Sequence, residues 1–195
     1  AEVQAVVNVA SRVDLLVNNA GISGPTAPVE AISPEEWQKT LDIDLTGAFN
    51  AARAVIPIMK AQGSGVIVNI ASNAGLMGCP NRSPYVAAKW ALIGLTKTWA
   101  MELGSYNVRV NALCPASVEG ARIDAVIARD AAARGVSEDA IRSVYERQSS
   151  LRAFTRVEDI AAMVCYLAGD QGIRISGQAI GIDGHTETLA NHLDP

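Results

Sequence analysis

Short apolar runs alternate along the chain with longer stretches of helical periodicity. Gly65 is followed by Val66, Ile67, Val68 and Ile70, a β-branched run too short for a helix and suited to a strand buried on both faces. The segment from Arg12 to Val17 reads the same way and ends in Asn18-Asn19-Ala20-Gly21. Val108 to Cys114 closes on Pro115, and Gln178 to Ile182 runs into Asp183-Gly184. Ser33-Pro34-Glu35-Glu36 joins a capping serine, a proline at the first helical position and a glutamate three residues after the cap. Helical spacing then continues through Trp37, Leu41, Leu45, Phe49 and Ala52 toward Lys60 as one predicted helix. Pro84 to Leu103 carries Ala87, Ala88, Ala91, Leu92, Leu95, Ala100 and Leu103 at the same spacing, with Gly104 as the stop. Further helices are expected over 122–133 and 137–148, and from a start at Thr155-Arg156-Val157-Glu158 to Leu167. Four strands with intervening helices predict an α/β domain whose parallel sheet is flanked on both faces.

This periodicity gives three polar residues a common setting. Ser72 falls just past a strand's C-terminal end, where open α/β sheets bind their ligands. Tyr85 and Lys89, four residues apart, share one face of the first two turns of a helix. A phenol ionises near pH 10, and an ammonium close by favours its phenolate form, a charge that Lys89 is placed to supply. A hydroxyl such as that of Ser72 can hydrogen-bond an oxygen on which negative charge develops. Tyr-x-x-x-Lys alone is also compatible with an ordinary surface pair on an amphipathic helix.

The set Asn69-Ile70-Ala71-Ser72, Tyr85-Val86-Ala87-Ala88-Lys89, the run from Arg12 to Gly21 and the run from Val108 to Pro115 together resemble the short-chain dehydrogenase/reductase family, over nearly the whole chain. The resemblance implies a Rossmann-like doubly wound parallel sheet and an oxidoreductase that interconverts a secondary alcohol and a ketone with NAD or NADP. It implies Ser72 as the residue that orients the substrate oxygen, Tyr85 as the general acid/base, and Lys89 as the residue that holds the nicotinamide ribose and promotes ionisation of the tyrosine. Asn19, Ala20 and Gly21 would form the turn beside the adenosine half of the cofactor. Pro115 and Val118 would lie along the nicotinamide. Residues 118–151 would form a mobile lid over the substrate, and the helices near 33–60 and 84–103 would build the interface of a homodimer or homotetramer.

The chain departs from the family pattern in three places. Asp44 stands where a fourth catalytic residue is usually asparagine, a residue thought to act through its main-chain carbonyl, and its charge would oppose phenolate formation if it lay beside Tyr85. Pro115-Ala116 replaces Pro-Gly, and Gly120 stands where a threonine is common. The glycine-rich phosphate turn is not found ahead of Asn18, and residues 1–11 read as a helix tail. A truncated Rossmann domain is therefore expected, with an exposed edge at Val13 to Val17 and weak dinucleotide binding by these 195 residues alone. A catalytically silent, oligomerising fragment is the alternative reading.

Composition narrows the setting. With 195 residues, 49% hydrophobic and 18% charged, the chain reads as a single domain able to bury a core. A formal charge of -4 gives no footprint for nucleic acid, and no apolar run approaches a membrane span. Cys79, Cys114 and Cys165 lack metal-ligand spacing and read as reduced thiols of a cytoplasmic protein, while His185 and His192 are expected at the surface rather than at a metal. Arg122, Arg129, Arg134, Arg142 and Arg147 are expected mostly on a solvated face, although one of them, or Arg82, could pair with a substrate carboxylate.

Overall fold

The apolar runs form one parallel sheet whose central strands are covered by helices on both faces. Strands β1 (Leu15–Asn18), β2 (Gly65–Ile70), β3 (Val108–Pro115) and β4 (Ala179–Ile182) lie in the order β1-β2-β3-β4, every adjacent pair parallel. The structure is a computed structural model that describes residues 11–189. Residues 1–10 of the helix tail expected over 1–11, and His192, lie outside the described residues, and Ser11 is not helical.

Alternation along β2 divides the core. Ile67 packs with Val110 of β3 against helix α2 (Gly47–Gln62) and helix α3 (Ser83–Leu103), which contribute Ala52, Val55, Met59, Trp99 and Leu103. Val66 and Val68 point the other way and meet Leu113, together with Ile160, Met163, Val164 and Leu167 of helix α6 (Val157–Ala168). Period-2 side chains on a strand wrapped on both sides account for the uninterrupted apolar sequence. Polar side chains secure the same layers. Asn18 donates to Asn69 Oδ1 at 2.8 Å, and Asn69 donates to Thr96 Oγ1 at 2.8 Å, tying β1, β2 and α3 through a buried network. Arg109 donates to the carbonyls of Leu167 and Gly172, placing a cation at the C-terminal end of α6.

The predicted single helix over 33–60 is interrupted. Helix α1 (Pro34–Leu41) begins as expected, with Ser33 Oγ accepting from the Glu36 N–H and the Glu36 carboxylate accepting from the Ser33 N–H. Residues Asp42–Thr46 then form a π turn before α2 resumes at Gly47. Such one-turn expansions cluster at functional sites, and apolar spacing does not reveal them. The start of α6 lies within the expected segment 155–158. Arg156 caps it, its N–H donating to Asp159, whereas Thr155 is buried and donates to the Ile182 carbonyl at the end of β4.

Helices α4 (Ala121–Arg134) and α5 (Glu138–Arg147) enclose an apolar cluster of their own, with Ile123, Ile127, Ala131 and Ile141 at its centre. Gly120 enters this pair at φ 127°, a conformation open to glycine and strained for the threonine common at this position. Among the described residues β1 pairs only with β2, and its Leu15 and Val17 are each 38% exposed. The Gln62 side chain accepts from the Val13 N–H and donates to the Val13 carbonyl, so a side chain meets the backbone groups at the start of this edge.

One close approach sets the height of the β2–α3 connection on the sheet. A Cβ on Gly75 would lie 2.9 Å from both the Lys89 carbonyl oxygen and Ile93 Cδ1. Gly75→Ala is therefore expected to destabilise the protein by about 1–3 kcal/mol through overpacking against backbone that cannot yield. Denaturant unfolding measures this, and an unchanged midpoint would show that the turn shifts freely.

Candidate active site

Lys89 is the residue around which the site is built. It lies within the second turn of α3, where helical spacing turns it inward, and it is only 4% exposed. Its Nζ donates to the carbonyl of Ile70, the last residue of β2, at 3.1 Å. It lies 3.6 Å from Asp44 Oδ2, and both side chains of this ion pair are buried. The same ammonium stands 5.4 Å from the ring centroid of Tyr85, one turn earlier. Arg82 faces that ring as well, at 5.1 Å. Tyr85 is half-buried, and its hydroxyl makes no hydrogen bond among the described residues.

Asp44 comes from the π turn. Its Oδ1 accepts from the Ile22 N–H at 2.7 Å, whereas its Oδ2 is buried without a hydrogen-bond partner and has only the ammonium of Lys89 before it. The charge that sequence placed in possible opposition to Tyr85 thus faces Lys89. Asp44 also fixes the loop after β1. A Cβ on Gly21 would come within 3.4 Å of Asp44 Oδ1, and the Gly21 and Ser23 carbonyls accept from Arg122 at 3.5 Å and Arg82 at 2.8 Å.

Ser72 leaves β2 in an extended conformation and caps the short turn Asn73–Gly75. Its Oγ accepts from the Ala74 N–H at 3.1 Å and donates to Asn73 Oδ1 at 3.2 Å. Asn73 in turn donates to Thr186 Oγ1 at 3.0 Å, joining the Ser72 turn to the segment after β4. Nothing in the sequence pattern singles out Asn73, Gly75 or Thr186, because their partners lie far along the chain. Cys114, near the end of β3, is buried beneath these groups. Burial pushes its thiol up to about 11, so it stays protonated near neutral pH.

The remaining candidates follow strand ends. Asn19 and Ala20 are exposed beyond β1, Pro115 is the buried last residue of β3, and Val118 bridges to Thr155. Backbone bonds from Ala116 to Ile182 and from Thr155 to Ser117 hold the segment after β3 against the end of β4. Of the arginines considered for a substrate anion, Arg134 pairs with Asp130 at 3.0 Å and Arg142 with Asp124 at 2.6 Å. His185 is exposed, with its Nδ1 2.7 Å from Ser150 Oγ.

A nicotinamide nucleotide fits this donor set. The turns after β1 and β3, the two strands that flank β2, place backbone at the carboxyl end of the sheet, the position at which α/β folds bind ligands. An ammonium has three donors, and Lys89 commits one to Ile70, which leaves capacity for a hydroxylated ligand.

Comparison with known proteins agrees with this architecture. The family model described as enoyl-(acyl carrier protein) reductase matches residues 1–185. The chain is 40% identical over 193 residues to trans-4-hydroxycyclohexanecarboxylate dehydrogenase of Sinomonas cyclohexanicum, covering 99% of this chain and 67% of that protein. It is 38% identical over 172 residues to D-beta-hydroxybutyrate dehydrogenase of Rhizobium meliloti, covering 88% of this chain and 66% of that one. The chain thus spans about two thirds of the length of these curated relatives. NAD+-bound xylitol dehydrogenase superposes with a TM-score of 0.86 at 32% identity, over 93% of this chain and 72% of that structure. With its parallel, doubly covered sheet and these relatives, the chain belongs to the short-chain dehydrogenase/reductase family and has that family's Rossmann-type fold.

Proposed function

We propose that the full-length protein is an NAD- or NADP-dependent oxidoreductase that interconverts a secondary alcohol and a ketone, with Tyr85 exchanging the proton on the substrate oxygen. The observation that carries this reading is the buried Lys89 ammonium, held by Ile70 and Asp44 beneath the ring of Tyr85. The bound nicotinamide supplies or takes the hydride.

In the alcohol-oxidising direction Tyr85 takes the hydroxyl proton as the carbon gives up hydride; in reduction it returns that proton to the forming alkoxide. Lys89 stabilises the negative charge that Tyr85 carries between these states. Ser72 turns its hydroxyl from Asn73 to the substrate oxygen, while the Ala74 N–H continues to hold Oγ in place. Asp44 balances the Lys89 charge and positions the loop from Asn19 to Ser23 for the cofactor. Pro115 and Val118 line the nicotinamide side, and residues 118–151, centred on α4 and α5, close over the substrate. The alcohol and ketone activity of the named relatives supports the same reaction class.

The reading includes assembly. Trp90 and Met101 on α3 are 50% and 87% exposed, and Phe49 on α2 and Trp37 on α1 are also exposed, more apolar surface than the sheet faces consume. A homodimer or homotetramer would cover it.

Tyr85→Phe in the full-length enzyme is expected to lower kcat by at least about 100-fold with unchanged circular dichroism; near-parental turnover would remove Tyr85 from the mechanism. Asp44→Asn retains an acceptor for Ile22 but leaves the Lys89 charge unbalanced, so a stability loss approaching about 3–5 kcal/mol is expected in chemical denaturation. Asp44→Ala should cost about 1–3 kcal/mol more, because the Ile22 N–H then loses its acceptor. Equal unfolding midpoints for Asp44→Asn and the parent would show that the ion pair adds nothing. Light scattering at micromolar concentration is expected to give at least a dimer, and a monomer would refute the assembly.

A further inference from the structure

Arg82 is a cation beside Tyr85 to which the reaction assigns no role. Arg134, Arg142 and Arg156 each have a carboxylate partner at 3.0 Å or closer. Arg82 has none among the described residues. It is half-buried, its Nη2 donates to the Ser23 carbonyl at 2.8 Å, and its Nε is sealed from solvent with no acceptor. The guanidinium is therefore fixed, partly dehydrated and lacking a counter-charge. Such a group is costly to leave unpaired and gains most from an incoming anion.

Its position says which ligand would bring that anion. The guanidinium carbon lies 5.1 Å from the centroid of the Tyr85 ring and is tethered to the loop after β1, which places it beside the residue read as the proton-transfer group. Five N–H donors in a planar fork match a carboxylate, and only one of them is committed to Ser23. Asp44, the buried carboxylate of the site, is directed to Lys89 and Ile22 and leaves Arg82 unbalanced.

We propose that Arg82 binds a carboxylate on the substrate, so that the reacting pair is a hydroxy acid and its oxo acid rather than an uncharged alcohol and ketone. This rests on the reading of Tyr85 as the proton-transfer residue, because that reading places the reacting oxygen beside Arg82. Arg82 acts on substrate selection: the carboxylate anchors one end of the molecule while the carbinol oxygen meets Tyr85.

The full-length enzyme loaded with its dinucleotide provides two measurements. In the first, rates of nicotinamide reduction are compared for 3-hydroxybutanoate and 4-hydroxypentanoate against their amides. The acids are expected to be favoured in kcat/KM by at least about 10-fold, and Arg82→Gln should remove that preference mainly through KM, with partial recovery in Arg82→Lys. In the second, calorimetry on Tyr85→Phe enzyme compares pentanoate with pentanamide. The acid should bind more tightly, and adding Arg82→Gln should equalise the two. Equal binding of acid and amide, or an acid preference that survives Arg82→Gln, overturns the proposal. Absence of turnover for every alcohol would instead count against the oxidoreductase reading, and the calorimetric comparison would still decide the role of Arg82.

Discussion

An ammonium buried inside a small α/β domain must be met by other groups, and the ways in which Lys89 is met organise the site. Two of its contacts come from parts of the chain separated by tens of residues: the last carbonyl of β2 and a carboxylate from the π turn between α1 and α2. Each ties a different element to α3. Because an uncompensated buried charge costs several kcal/mol, the fold holds these elements in register as a condition of keeping Lys89 inside. The position of Tyr85 follows, since it sits one turn before Lys89 on the same helix and lies under its charge.

The same economy governs the loop after β1. Its backbone is held at Ile22 by Asp44, at Ser23 by Arg82 and at Gly21 by Arg122. Each of these side chains belongs to a different element, so the loop records the relative placement of the π turn, α3 and α4. Backbone groups that would otherwise need water are met by charged side chains, whose hydrogen bonds are the stronger kind. A loop held at three successive positions in this way has its backbone placed by the elements around it. The Gly75 approach does the corresponding work on the other side, bringing the Ser72 turn onto the carbonyl of Lys89 itself.

The strands and most helix limits could be read from the sequence because they depend on local information. Uninterrupted β-branched runs mark strands covered on both faces, and Ser33 with Glu36 marks a helix start that forms as a reciprocal cap. The fold class and family followed from these runs together with the Ser72, Tyr85 and Lys89 spacing. The π turn did not, since Trp37, Leu41, Leu45 and Phe49 recur every four residues and fit an uninterrupted α-helix equally well. The start over Thr155–Glu158 was legible, but the bond from Thr155 to the β4 carbonyl was not, because its partner is 27 residues away. Asp44 could be identified as a departure, but its direction toward Lys89 could not, because that depends on how the π turn rotates the side chain. Asn73 and Thr186, 113 residues apart, left no pattern at all.

Two cations therefore face one tyrosine ring, and the protein treats them differently. Lys89 is buried with a carboxylate directed at it, so its charge has a partner within the protein while its ammonium still stands beside the Tyr85 ring. Arg82 lies nearer the surface, is anchored by a neutral carbonyl, and has no carboxylate partner among the described residues. Electrostatics in a low-dielectric site are strong and little screened, so on the proposed reading the balanced cation serves proton transfer and the unbalanced one ligand capture. Had Asp44 been an uncharged residue, both cations would have pressed on the same ring and cleft. By pairing with the deeper cation, the aspartate leaves the two in different electrostatic states, and on the proposed reading this is a physical reason for a carboxylate where the family usually carries an amide.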